Sequence, residues 1–369
     1  MNRVSPFRLL IKAAALLVVV ALLFTQIDSD WLGRLTLYNH IVPGRARLPF
    51  GEDQQGAYNL SLYNLEAMLA SHEISASDGG EDVQKVVVLG DSSVWGTLLR
   101  PEQTIAGQLN DRELTLCGKP ARFYNLGYPT LSLLKDLLIL DRTMRLEPDR
   151  VVWVTTLQSF PRDRQLAAPI VANNPTHARE LISRYGLELP LDADAFIEPT
   201  FLDRTLFGRR RELADLFRLQ LYGIMWAATG VDQMYPHDYA RAATDLAADE
   251  TFLGREPPAF EADSLAFDVL DAGIDRAGGV PMLLVNEPIL VSNGANSGIR
   301  YNFLYPRWAY DRYRELIAEH AAQNGWEYLD LWDLIPPEDF TNTAIHVNAG
   351  GVQRMADEIA SALASSSCP

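Results

Sequence analysis

The chain has 369 residues, 48% of them hydrophobic and 22% charged, so it can bury a large core and is not a disordered polymer. Its formal net charge of −16 argues against nucleic acid as a partner and against general adhesion to an anionic membrane surface. No metal-ligand spacing, phosphate loop or dinucleotide fingerprint occurs, so no metal and no cofactor is expected.

Residues 9–24 are apolar except for Lys12, and Arg3, Arg8 and Lys12 precede the densest part. The unbroken stretch 13–24 is short for a span, which needs about 20 residues, but Lys12 can snorkel and extend it to 7–27. A small-x-small cleavage pattern does not follow, and Asp28 and Asp30 after a basic amino side orient the amino end inward. The expectation is an uncleaved signal-anchor over 1–27 with the remainder outside the cytoplasm; a cleaved signal peptide is the alternative. A buried amphipathic helix is excluded by the lack of a polar face.

A stem, 28–84, contains a predicted helix over 57–71 and a Gly/Ser/Asp linker over 75–82. The main domain, 85–369, opens with Val86-Val87-Val88-Leu89-Gly90-Asp91-Ser92, a buried strand running into a tight turn. Gly90 permits the turn, Asp91 bonds back to nearby amides, and Ser92 is presented at the strand's carboxyl end, where open α/β sheets place ligands. A helix follows from Thr104. Phe123-Tyr124-Asn125-Leu126-Gly127-Tyr128-Pro129-Thr130 reads as a strand end and loop. The helix predicted over 131–144 carries Lys135 and Asp136 on its polar side, and Val151-Val152-Trp153-Val154 is another buried strand with Gln158 in its exit loop.

Residues 159–263 interrupt this rhythm as an insertion. Within it, 204–229 reads as one long helix with Arg209-Arg210-Arg211 at its start. It is either a helix packed on the core with a solvated basic turn or an interfacial segment against a bilayer; Asp215 and Arg218 argue against a second span. The core resumes with a helix over 264–277 and a strand over 280–285. A loop over 287–305, holding Arg300, Tyr301 and Asn302, is either plain surface or a substrate contact. A helix over 308–323 and a short strand over 326–329 follow, then His346 on the loop entering a C-terminal helix. The alternation predicts a three-layer α/β/α sandwich with a mainly parallel sheet. Cys117 and Cys368 either form one disulfide or remain two free thiols.

Gly90-Asp91-Ser92, the Asn125 and Gly127 block, the Gln158 strand exit and His346-Val347-Asn348-Ala349-Gly350-Gly351, in this order, resemble the SGNH/GDSL hydrolase superfamily. The resemblance implies a flavodoxin-like sheet, Ser92 as nucleophile, His346 as general base, and an oxyanion hole from the Ser92 N–H, the Thr130 N–H and the Gln158 carboxamide. Asp91, Asn125 and Gly127 would lie in the loops nearby. The family carries Asp three residues before its catalytic His, where this chain has Thr343; Asn342, a backbone carbonyl, Thr343, Asp339 or the more distant Asp330 and Asp333 are the candidates to orient the ring. The activity implied is that of an extracytoplasmic serine esterase or O-acyltransferase acting on acyl, above all acetyl, esters of an exported glycan. The chain would sit in a bacterial inner membrane as a single-pass protein with a periplasmic catalytic domain and cell-envelope assembly partners. A catalytically weakened glycan-binding or assembly factor and a lipid esterase are the other readings.

Overall fold

The computed structural model describes residues 5–27, 30–50, 63–76, 82–230, 238–258, 261–366 and 368. Helix α1 (Pro6–Phe24) stands apart, with Ala21 its one buried residue, and is long and apolar enough to cross a membrane. Short helices α2 (Asp30–Arg34) and α3 (Tyr38–Ile41) lead into an irregular strap over 42–50, and α4 (Leu65–Ser71) and α5 (Glu73–Ala76) lie further along the chain. The helix expected over 57–71 is seen only from Leu65, because the Asn64 side chain accepts the Ala67 N–H at 3.0 Å and starts the helix there. The 57–62 part of that expectation, and 77–81 of the expected linker, lie outside the described residues.

Six strands, β1 (Gln84–Gly90), β2 (Thr115–Leu116), β3 (Lys119–Gly127), β4 (Arg150–Thr155), β5 (Met282–Asn286) and β6 (Glu327–Asp330), form one sheet in the order β2-β3-β1-β4-β5-β6. Only the short β2 is antiparallel to its neighbour. The strands are near-continuous apolar runs because both faces are covered. Val86 and Val88 point to α7 (Ile105–Asn110) and α14 (Ala349–Ser365), whereas Val87 and Leu89 point to α8 (Leu133–Thr143), α12 (Phe267–Ala277) and α13 (Arg307–Asn324). This is a three-layer α/β/α sandwich. The chain leaves β1 for β3 on one side and returns to β4 on the other, so the order reverses at β1 and opens a crevice at its carboxyl end.

The stem joins this core: Leu48, Leu65, Met68 and Ile74 are buried in it, and His72 Nε2 donates to Asn125 O at 3.0 Å. The insertion carries α9 (Pro169–Ala172), α10 (Pro175–Tyr185) and α11 (Arg210–Thr229). The long helix expected from residue 204 therefore starts six residues later. The Thr205 hydroxyl donates to Leu202 O and accepts the Gly208 N–H, closing a tight turn that a helix cannot continue.

Cys117 and Cys368 are bonded, with Cα atoms 5.6 Å apart, and fasten the β2–β3 turn to the chain just past α14. A link across 251 residues removes much of the freedom of the unfolded chain. Cys368→Ser should lower the unfolding free energy by about 2–5 kcal/mol. Urea midpoints read it: a reductant should shift the native chain to the midpoint of the variant and leave the variant unmoved.

Candidate active site

Ser92 is held by constraints on both sides of its turn. Gly90 has φ +155°, and a Cβ there would lie 2.5 Å from Val94 Cγ2 and 2.9 Å from Val154 O. Ser92 opens α6 (Ser92–Trp95), a single turn capped by Asp91, whose carboxylate accepts the Ser93 N–H at 2.8 Å. Asn125 Nδ2 donates to Val94 O at 2.7 Å, closing the other end of α6, while its Oδ1 accepts the Gly127 N–H at 3.0 Å. Gly127 is required by packing: a Cβ there would stand 2.3 Å from Trp95 N. From the strap, the Arg47 guanidinium lies over the Trp95 ring and donates to Gly96 O at 3.0 Å and Leu99 O at 3.1 Å.

Beneath this turn the structure corrects the sequence reading. Lys135 and Asp136 are not on a polar face of α8; both are buried. Lys135 Nζ donates to Gly90 O at 2.8 Å and to Asp136 Oδ1 at 2.6 Å, and Trp153 Nε1 donates to Asp136 Oδ2 at 3.2 Å. Glu287, at the exit of β5, is buried too and receives the Ser93 hydroxyl on Oε2, while its Oε1 has no partner among the described residues. Burial, and then the nearby charge of Asp91, push Glu287 well above the ordinary carboxylate range. Sequence reasoning missed Ser93 and Glu287; the signal was an Asn-Glu pair at the end of the apolar run Met282–Val285.

The His346 loop brings an imidazole to Ser92. Ser92 Oγ donates to His346 Nε2 at 2.7 Å, and His346 Nδ1 donates to Asn342 Oδ1 at 2.9 Å. The ring thus has its lone pair toward the serine, the tautomer a general base needs. Thr343 does not touch the ring: its Oγ1 accepts the backbone N–H groups of Ile345 at 3.3 Å and His346 at 3.2 Å. Asp339 is turned to α14, accepting from Asn348 Nδ2 at 2.9 Å, and Asp330 is engaged by Asn286 and Arg314. No hydrogen bond or ion pair joins Asp333 to His346. With a neutral carboxamide as its partner, His346 has nothing to offset burial, which lowers its pKa to about 4.

The insertion braces this loop. Ala242 N donates to Thr341 O at 2.8 Å, and Arg241 Nη2 donates to Glu338 O at 2.6 Å and Phe340 O at 3.1 Å. Arg300 and Asn302 are buried scaffolding, contrary to a role in substrate contact: Arg300 donates to Asp249 O at 2.6 Å, and Asn302 Oδ1 accepts the Leu304 and Tyr305 N–H groups.

The three candidate oxyanion donors stand at the carboxyl ends of the adjacent strands β3, β1 and β4. Among the described residues, the Ser92 N–H, the Thr130 N–H and the Gln158 carboxamide donate to no protein acceptor. Thr130 has φ +156°, a conformation glycine adopts more readily, and its buried hydroxyl is unpartnered. Tyr305 braces this strand exit: its hydroxyl lies 3.0 Å from Thr156 Oγ1 and bonds to the Gln158 backbone.

No protein-family model and no curated protein matches the chain. Solved structures it is similar to include a carbohydrate acetylesterase from Sinorhizobium meliloti (14% identity, 76% of this chain and 99% of that one, TM-score 0.33). Others are a lipolytic protein of the G-D-S-L family from Veillonella parvula (9%, 74% and 95%, TM-score 0.36) and a lipase/acylhydrolase from Enterococcus faecalis (13%, 75% and 94%, TM-score 0.37). The side-chain geometry at Ser92, not these likenesses, carries the functional reading.

Asn342→Asp should raise turnover roughly tenfold, because a charged acceptor holds the imidazolium about 1–2 kcal/mol better than a neutral one. Its pH profile supplies the sign. In the native chain the acid limb of kcat/KM should fall near pH 4, where His346 takes up a proton, and not near 6.5. The new carboxylate favours the protonated ring, so in the variant that limb should move upward.

Proposed function

We propose that the chain is a serine esterase or O-acyltransferase of SGNH type, and the observation that carries this is the continuous relay from Ser92 Oγ through His346 to Asn342 Oδ1. Ser92 Oγ attacks the carbonyl carbon of an ester while His346 Nε2 takes its proton. The Ser92 N–H, the Thr130 N–H and the Gln158 carboxamide receive the oxyanion. Collapse expels the alcohol, protonated by His346, and leaves an acyl group on Ser92. Water or a sugar hydroxyl, deprotonated in turn by His346, then takes that acyl group and restores the serine.

The substrate class we propose is an acyl, above all acetyl, ester of an exported glycan, a reading that rests on the resemblance of the sequence blocks. An extracytoplasmic site on a bacterial inner membrane is supported by α1, by Arg3, Arg8 and Lys12 at its amino side and by the Cys117–Cys368 bond, since disulfides persist in oxidising compartments. The competing reading is a glycan-binding or assembly factor without turnover, and Asn342 in place of a carboxylate favours it: exchanging carboxylate for carboxamide costs a well-studied protease about 10⁴ in turnover. There the carboxamide leaves the wrong tautomer; here Oδ1 accepts from Nδ1.

The full-length protein should cleave an activated short acyl ester and label with a serine-directed covalent probe, and Ser92→Ala should abolish labelling and cut the rate by at least about 10³-fold. Wild-type chain that neither cleaves nor labels is the outcome that assigns it to the noncatalytic class. For topology, a reporter fused after Pro369 should be active only outside the cytoplasm, and the protein should stay with membranes through a high-salt wash. A shortened soluble form would mark the segment as a cleaved signal.

A further inference from the structure

Helix α11 has two apolar faces. One is packed: Leu219, Gly223 and Trp226, spaced 4 and 3 apart, are buried, and Gly223 lies so close to the stem that a Cβ would stand 1.8 Å from the Tyr38 ring. The other is open. Phe217, Leu221 and Ile224, also spaced 4 and 3 apart, are 63%, 57% and 48% exposed, and Met225 beside them is 49% exposed. A helix apolar on both sides belongs inside a protein or against lipid.

The position of α11 identifies what covers that face. Gln220 Oε1 accepts the Leu37 N–H at 2.8 Å and the Tyr38 N–H at 3.0 Å, so α11 is pinned to the stem. Arg209, the residue before α11, donates to Ile27 O at 3.4 Å, only three residues past the end of α1. The start of α11 therefore lies beside the carboxyl end of α1. Leu37 and Ile41, in the stem segment pinned to α11, are likewise apolar and open, 69% and 63% exposed. Against a net charge of −16, this element opens with three consecutive arginines, Arg209, Arg210 and Arg211, and carries Arg218 beside its open stripe. Cations at the edge of an apolar helical stripe fit the headgroup layer of an anionic bilayer.

We infer that α11 is a second membrane contact, a helix lying in the headgroup–acyl boundary with Phe217, Leu221, Ile224 and Met225 toward the acyl chains. The inference rests on the reading of α1 as an anchor. It makes the main domain a body seated on the bilayer at two points, in a fixed orientation and not on a tether.

The test uses full-length protein in phosphatidylcholine–phosphatidylglycerol vesicles. Cys117 and Cys368 are bonded, so a single introduced cysteine takes an environment-sensitive fluorophore. Labels at Leu221→Cys, Ile224→Cys and the anchor position Leu16→Cys should emit to the blue and be quenched by nitroxide-bearing lipids. A label at exposed Glu319→Cys on α13 should do neither. Quenching at Leu16 with none at Leu221 and Ile224 overturns the inference and leaves the anchor standing. Quenching at none of the three removes the anchor and the inference together. Pyrene labels at Leu221 that form excimers between chains, with no lipid quenching, assign the face to a second copy and overturn it too.

Discussion

A strand that ends inside a protein must dispose of its last polar groups, and β1 does end there. Gly90 O receives the Tyr128 N–H at 3.0 Å and, on its second lone pair, the Lys135 ammonium. A buried ammonium is tolerable only with a counter-charge, which Asp136 supplies, and that carboxylate in turn takes the Trp153 indole N–H. Asp91 and Glu287 stand in the same dry region, so one cation faces three carboxyl groups. Burial beside the Asp91 carboxylate accordingly pushes Glu287 upward from the ordinary carboxylate range. The platform under the nucleophile is thus a chain of necessities that starts from one carbonyl, and each member is buried because the one before it is.

Above the platform the electrostatics are reversed. His346 is buried with neutral neighbours on both ring nitrogens, a serine hydroxyl and a carboxamide. Such a site holds the imidazole in one tautomer by geometry alone and gives up the charge stabilisation that a carboxylate adds in the transition state. The loop supplying that geometry is stiffened from three sides: Thr343 caps its own turn, Asp339 fastens the start of α14, and Arg241 and Ala242 of the insertion grip residues 338–341.

The fold was legible because parallel strands covered on both faces read as apolar runs; Val86–Leu89 and Val151–Val154 betray the two central strands directly. The nucleophile turn was legible for the same reason, since Gly, Asp and Ser after such a run leave few conformations. Lys135 and Asp136 misled because a charged pair on a helix normally marks its solvated face, and nothing local says that a carbonyl across the core needs an ammonium. Arg300 and Asn302 misled likewise: polar residues in a loop near a site look like contacts until the loop is seen bonded to 249–251 of the insertion. Asn342, a candidate for the ring, was named beside Thr343 and Asp339, but its selection among them depends on how the loop curls, which Thr343 decides through backbone bonds.

The relay between Ser92 and His346 bridges 254 positions of the chain. During synthesis the nucleophile's turn can be complete, with α6 capped and β1 paired to β3 and β4, while the polymer still lacks its base. His346 follows far along the chain, and the helix after its loop, α14, packs on α7 and is followed by the Cys368 bond. A chain extended only as far as α6 therefore carries at Ser92 a hydroxyl without the imidazole that accepts its hydrogen bond.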